Sequence, residues 1–131
     1  MKRYEERKED LKKATQRLGE AIKEPDTELA IDGTLHRFEF TFELAWKTMK
    51  DYLENQGIIS KIGSPREVIK EAFTAGIIED GEEWLNMMLA RNELSHLYDE
   101  ETSREIYDNI KKKYIFEFIK LLKKLDKIDK M

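Results

Sequence analysis

Apolar residues recur every three or four positions along most of this chain, with charged residues between them, a spacing that puts one apolar stripe on each of several successive helices. No stretch keeps the two-residue alternation of a half-buried strand, so the pattern predicts an all-α protein. Tyr4, Leu11, Ala14, Leu18, Ala21 and Ile22 mark a first helix over residues 4–24, ended by Pro25-Asp26. A long second helix is expected from a cap at Asp32 or Thr34 to about Gln56, with Gly57 as its left-handed stop. Its seam is Leu35, Phe38, Phe42, Ala45, Met49 and Tyr52. Phe40, Leu44 and Trp46 lie off that seam and need a second partner, either another helix of the chain or another subunit.

Ser64 as cap, Pro65 at the first helical position and Glu67 closing a capping box open a short third helix that reaches about Ala75, where Gly76 stops it. Asp80-Gly81-Glu82-Glu83 opens a fourth helix, with Trp84, Leu85, Met88 and Leu89 expected to face inward. Asp99, backed by Glu100 and Glu101 where acidic side chains suit the helix dipole, starts a last helix running to about Leu125. Tyr107, Ile110, Tyr114, Phe118, Leu121 and Leu125 share one side of it, and Ile115, Ile119 and Leu122 widen the stripe. Lys111-Lys112-Lys113 and Lys123-Lys124 read as its solvated face. Four long helices and one short one, joined by brief connections, predict an antiparallel up-and-down four-helix bundle with an additional short helix. At 131 residues the chain fits one helical domain, residues 1–131, around a single core.

Composition removes several function classes. The chain has no cysteine, which excludes disulfides, thiolate metal sites and a cysteine nucleophile; with two histidines, His36 and His96, a histidine-rich metal site is not expected either. Neither a metal nor a cofactor is expected. A net charge of −4 argues against bulk electrostatic binding of nucleic acid, though not against a local basic pocket. No apolar run approaches the roughly 20 residues of a membrane span. The N-terminus begins with basic residues but lacks an apolar signal region, so a cytoplasmic location is expected.

Against this regular background, Arg91-Asn92-Glu93-Leu94-Ser95-His96-Leu97-Tyr98 gathers a guanidinium, a carboxamide, a hydroxyl, an imidazole and a phenol at the junction of two expected helices. At about 100° per residue, Arg91 and His96 would lie roughly 140° apart on a continuing helix. A unit that uses both therefore needs the helix to bend or end between them, or a second subunit to complete it. Histidine moves protons near neutral pH and arginine grips phosphate in a planar fork. The pair suits cleavage of an RNA phosphodiester by its own 2′-hydroxyl, with Asn92 and Ser95 in supporting, orienting roles. A plain structural junction, with Arg91 paired to Glu93 or Asp99 and His96 bonded to a backbone carbonyl, explains the same residues. His36, beside Arg37 with no other histidine near, reads as structural or solvent-facing.

The segment 91–96 resembles the R-x4-6-H motif of HEPN domains, and Tyr98 extends it to the R-x4-H-x-Y form of HEPN toxins paired with minimal nucleotidyltransferases. Asp32-Gly33-Thr34, then Arg37 through Lys47, then Ser64-Pro65-Arg66-Glu67-Val68-Ile69, and Arg91 through Glu100 resemble the branch called nucleotidyltransferase substrate-binding proteins. The resemblance implies an HEPN bundle, a homodimer that brings two motifs to one cleft, and a separately encoded minimal nucleotidyltransferase as partner. Carried over, Arg91 and His96 would be catalytic in a metal-independent ribonuclease toxin of a toxin-antitoxin pair. Tyr98 would be the tyrosine silenced by adenylylation. The alternative is a non-catalytic subunit that binds a nucleotide or other substrate for the transferase. The chain lacks the Gly-Ser and paired aspartates of a nucleotidyltransferase and is not expected to transfer nucleotides itself.

Overall fold

The computed structural model describes residues 2–58, 63–96 and 99–131. Among them every regular element is helical: α1 (Lys2–Ala21), α2 (Glu28–Asn55), α3 (Pro65–Thr74), α4 (Gly81–Leu94) and α5 (Glu100–Asn109), which continues through one π-helical turn (Ile110–Tyr114) into α6 (Ile115–Asp129). This is the expected all-α up-and-down bundle, with α3 as the short addition.

Side-chain pairs fix the directions of the long helices. Arg7 near the start of α1 meets Asp51 near the end of α2 at 3.1 Å, and Arg37 Nη1 donates to the Arg17 carbonyl at 2.7 Å, so the two helices run antiparallel. Tyr4 Oη donates to Asp129 at 2.9 Å and Lys8 reaches Asp126 and Asp129 at 2.6 and 2.7 Å, which ties the start of α1 to the end of α6. The core is an aromatic cluster between α2, α4 and α6: Phe38 stacks on Tyr114 at 5.5 Å, and Trp84 meets Phe118 edge-on at 5.7 Å and Phe42 at 6.2 Å. Such pairs add about 0.5–1.5 kcal/mol each beyond the area they bury.

Several boundaries differ from those expected. α2 begins before Asp32: Thr27 is its cap, its hydroxyl accepting from the Ala30 N–H at 3.1 Å, while Asp32 is exposed and Thr34 is buried mid-helix with its hydroxyl donating to the Ala30 carbonyl. α1 ends at Ala21 rather than Glu24. Leu53, not Tyr52, closes the buried seam of α2, because Tyr52 turns partly outward to lie 5.9 Å from Tyr4. In α4 the inward stripe steps through Trp84, Met87, Met88, Arg91 and Leu94, which leaves Leu89 off the stripe and half exposed, contrary to expectation. Gly57 and Gly76 do take the left-handed backbone, with φ of 70° and 79°.

The π turn has no counterpart in the expected helix. Ile110, Tyr114 and Phe118 are all buried yet spaced by four, and two such steps overrun the α-helical turn by roughly 80°. One wider i→i+5 turn absorbs that overrun and keeps all three side chains on the core. Lys112 and Lys113 are solvent-facing as expected, whereas Lys111 reaches Asp26 at 3.3 Å over the ring of Tyr107. Asp26 also accepts from Tyr107 Oη at 2.7 Å and Arg104 at 3.0 Å, clamping the α1–α2 connection to α5. Of the three off-seam residues of α2, Trp46 is buried and Leu44 packs against the core; Phe40 stays 60% exposed. Among the described residues, no helix is long and apolar enough to cross a membrane.

Candidate functional site

The helical stripe of α4 carries Arg91 inward, onto the flank of α2 where Glu39, Glu43, Trp46 and Lys50 follow one another at steps of four, three and four. Arg91 Nη2 donates to Glu43 Oε2 at 2.9 Å, with both side chains about one-third exposed. The other Glu43 oxygen lies 3.4 Å from Lys47 Nζ. Arg91 is thus paired across the α2–α4 seam rather than with Glu93 or Asp99. Glu39 stands one turn back from Glu43: burial pushes its carboxyl above the ordinary range, and the positive fields of His36 and Arg91 oppose that push.

α4 ends at Leu94, between Arg91 and His96, which is the break that joint use of the two residues requires. Ser95 is the C-cap, its N–H and hydroxyl both directed to the Asn92 carbonyl at 3.2 and 2.6 Å. The His96 N–H bonds to the Glu93 carbonyl at 3.1 Å, and among the described residues its exposed imidazole makes no hydrogen bond. Asn92 is also exposed. Tyr98 lies outside the described residues. The structure therefore brings Arg91, Asn92, Ser95 and His96 to the C-terminal end of one helix, and it spends the Ser95 hydroxyl on closing that helix.

Two buried side-chain N–H groups have no hydrogen-bond partner among the described residues, Arg91 Nε and Trp46 Nε1. A buried donor left unpaired is unfavourable by about 1–3 kcal/mol, and here one such donor belongs to the Glu43-paired Arg91 of α4 and the other to α2, three residues after Glu43. Sequence reasoning does not reach Glu43 or Trp46 as site residues; their placement one turn apart on the stripe through Glu39 and Lys50 is the available signal.

The acidic residues that follow the motif face elsewhere. Asp99 accepts the Thr102 N–H at 2.7 Å as the cap of α5, a bond that holds its carboxyl below the ordinary range. With Asp26, Glu28, Asp32, Glu100 and Glu105 it lines a groove of about 920 Å³ in which Arg104 is the cation among the lining residues. That groove repels phosphate, and the Arg91 seam is the better anion site. Among the described residues, no cluster of side chains is arranged to hold a metal ion.

Fold and site together define an HEPN-like helical domain. The model of the family described as nucleotidyltransferase substrate binding protein like matches residues 6–127, and the chain belongs to that family. A crystal structure of a Thermus thermophilus protein superposes with a TM-score of 0.80 at 29% identity, covering 88% of this chain and 98% of that one. A Haemophilus influenzae structure, described as revealing the fold of a substrate binding domain of a nucleotidyltransferase, also superposes with a TM-score of 0.80, at 26% identity over 91% of this chain and 98% of its own. A probable ribonuclease HepT from Haemophilus influenzae is 35% identical over 83 residues, 61% of this chain. The matched stretch spans 57% of that relative's length.

Proposed function

We propose that this chain is the substrate-binding subunit of a two-component nucleotidyltransferase, working in the cytoplasm with a separately encoded minimal nucleotidyltransferase. In this reading Arg91 grips a phosphate of a nucleotide or other substrate, and His96 and Asn92, exposed at the end of the same helix, supply further polar contacts. The observation that carries it is the state of Arg91: a guanidinium on an inward helical stripe, already charge-balanced by Glu43 and holding an N–H with no partner among the described residues, is built to exchange one anionic partner for another. The likeness to a protein described as carrying a nucleotidyltransferase's substrate binding domain supports the same reading.

A second reading, a metal-independent ribonuclease toxin silenced by adenylylation of Tyr98, is favoured by the complete Arg91, His96, Tyr98 spacing and by the likeness to a probable ribonuclease. One experiment separates the two. Purified protein, shown by intact mass to carry no added AMP, is incubated with mixed RNA in EDTA beside His96→Ala. The substrate-binding reading predicts intact RNA with both proteins. Cleavage by the native protein that is lost in the variant would replace it with the ribonuclease reading.

A further inference from the structure

We propose that Trp46 Nε1 and Arg91 Nε are reserved donors of one oxyanion subsite on the α2–α4 seam, taking a phosphate group, and that Glu43 is the internal carboxylate which occupies Arg91 until that phosphate arrives. The inference rests on the substrate-binding reading and adds to it a ligand-binding indole and a gate.

An arginine recognises phosphate best through two parallel N–H groups, and the edge formed by Nε and Nη2 is one such fork. Here Nη2 is on Glu43 while Nε has no partner among the described residues, so the carboxylate fills half of a two-donor fork. Glu43 has its other oxygen turned toward Lys47 at 3.4 Å, which explains why it does not complete the fork itself. Trp46 lies one turn further along the same flank of α2, nine-tenths buried, with its indole N–H unpaired among the described residues. A tryptophan that served packing alone could be phenylalanine; a buried indole N–H normally has an acceptor. Glu43 and Trp46 are three residues apart on a helix and so share a face.

Arg91 and Glu43 are side chains about one-third exposed, so either can change rotamer without moving a helix. A phosphate that takes the Arg91 fork releases Glu43, whose carboxylate then stays solvated beside Lys47. No covalent step is involved. The neighbouring charges are the partly buried carboxyl of Glu39, whose ionisation burial disfavours, and His36, whose field reaches the same carboxyl.

The test is calorimetric titration of ATP into the full chain and into Trp46→Phe, Glu43→Gln and Arg91→Ala, each checked for an unchanged helical spectrum. Loss of a hydrogen bond to a charged acceptor weakens binding by roughly 10-fold or more, which is the result expected for Trp46→Phe. Glu43→Gln, which removes the competing charge but keeps the side chain's shape, is expected to bind several-fold more tightly. Should Trp46→Phe not fold, the Glu43→Gln result alone decides. Arg91-dependent ATP binding that is indifferent to Trp46→Phe, or weakened by Glu43→Gln, overturns the inference and leaves the substrate-binding reading standing. ATP binding that is absent from the native chain overturns the inference, and ATP binding that survives Arg91→Ala overturns both.

Discussion

Arg91 occupies a position on α4 where the helical rhythm would otherwise place an apolar side chain, between Met88 and Leu94 on the inward stripe. Its ion pair with Glu43 is about one-third exposed, and pairs in that setting contribute about 0–1 kcal/mol. Arg91→Met keeps the stripe apolar and gives up only a partly exposed ion pair, so its unfolding free energy is expected to lie within about 1 kcal/mol of the native value, while ATP binding is lost. Urea unfolding beside a binding titration checks both halves; a loss of several kcal/mol would make Arg91 a structural residue. His96→Ala, at an exposed position beyond the helix end, is expected to change stability by no more than about 0.5 kcal/mol. The Arg91-to-Tyr98 spacing is legible in the sequence because it is local. The Arg91–Glu43 pair, 48 residues apart, is not: periodicity says which face of each helix turns inward but not which residues meet across two helices.

At the scale of elements, the apolar seams of α2 and of α5–α6 are readable because Leu35, Phe38, Phe42, Ala45 and Met49, and Tyr107 through Leu125, hold helical spacing over many turns. Helix starts are harder. Thr27 caps α2 ahead of a stretch, Glu28 to Gly33, whose glycine and aspartate look like a turn, yet the cap and Ile31, packed against the core, carry the helix through them. Phe38 touches Phe42, Tyr114 and Phe118 and is fully buried, so Phe38→Ala should destabilise the fold by about 3–5 kcal/mol in chemical unfolding. The Asp26 clamp gives a pH signature. Tyr107 first, then Lys111, hold its carboxyl below the ordinary range, and a depressed carboxylate stabilises the fold above its unfolded value and loses that contribution as pH falls through the folded one. Asp26→Asn should therefore melt below the native protein at pH 7, with the gap closing as pH drops below about 4. A gap that persists or widens in acid would mean that the carboxylate's charge is not what holds the clamp.

For the whole molecule, the HEPN-like bundle establishes where the motif stands but leaves part of its surface apolar. Phe40 lies one turn from Glu43, and Leu89 lies two residues before Arg91; both are at least half exposed. A homodimer of the kind the family resemblance implies would cover them and bring two Arg91 seams toward one cleft. Light scattering should then give twice the 15.6 kDa chain mass, and Phe40→Asp with Leu89→Asp should return the monomer; a monomeric native protein would remove the dimer from the account. The measurement that bears most directly on the central claim is an ATP titration followed by nitrogen–proton correlation spectra, in which the indole signals of Trp46 and Trp84 and the Nε signal of Arg91 are read separately. Trp46 and Arg91 Nε are expected to shift together and saturate at one concentration, while Trp84, buried in the aromatic core, stays in place. Shifts confined to the lysines of α6 or to the acidic groove beside α5, with Trp46 and Arg91 unmoved, would contradict that claim.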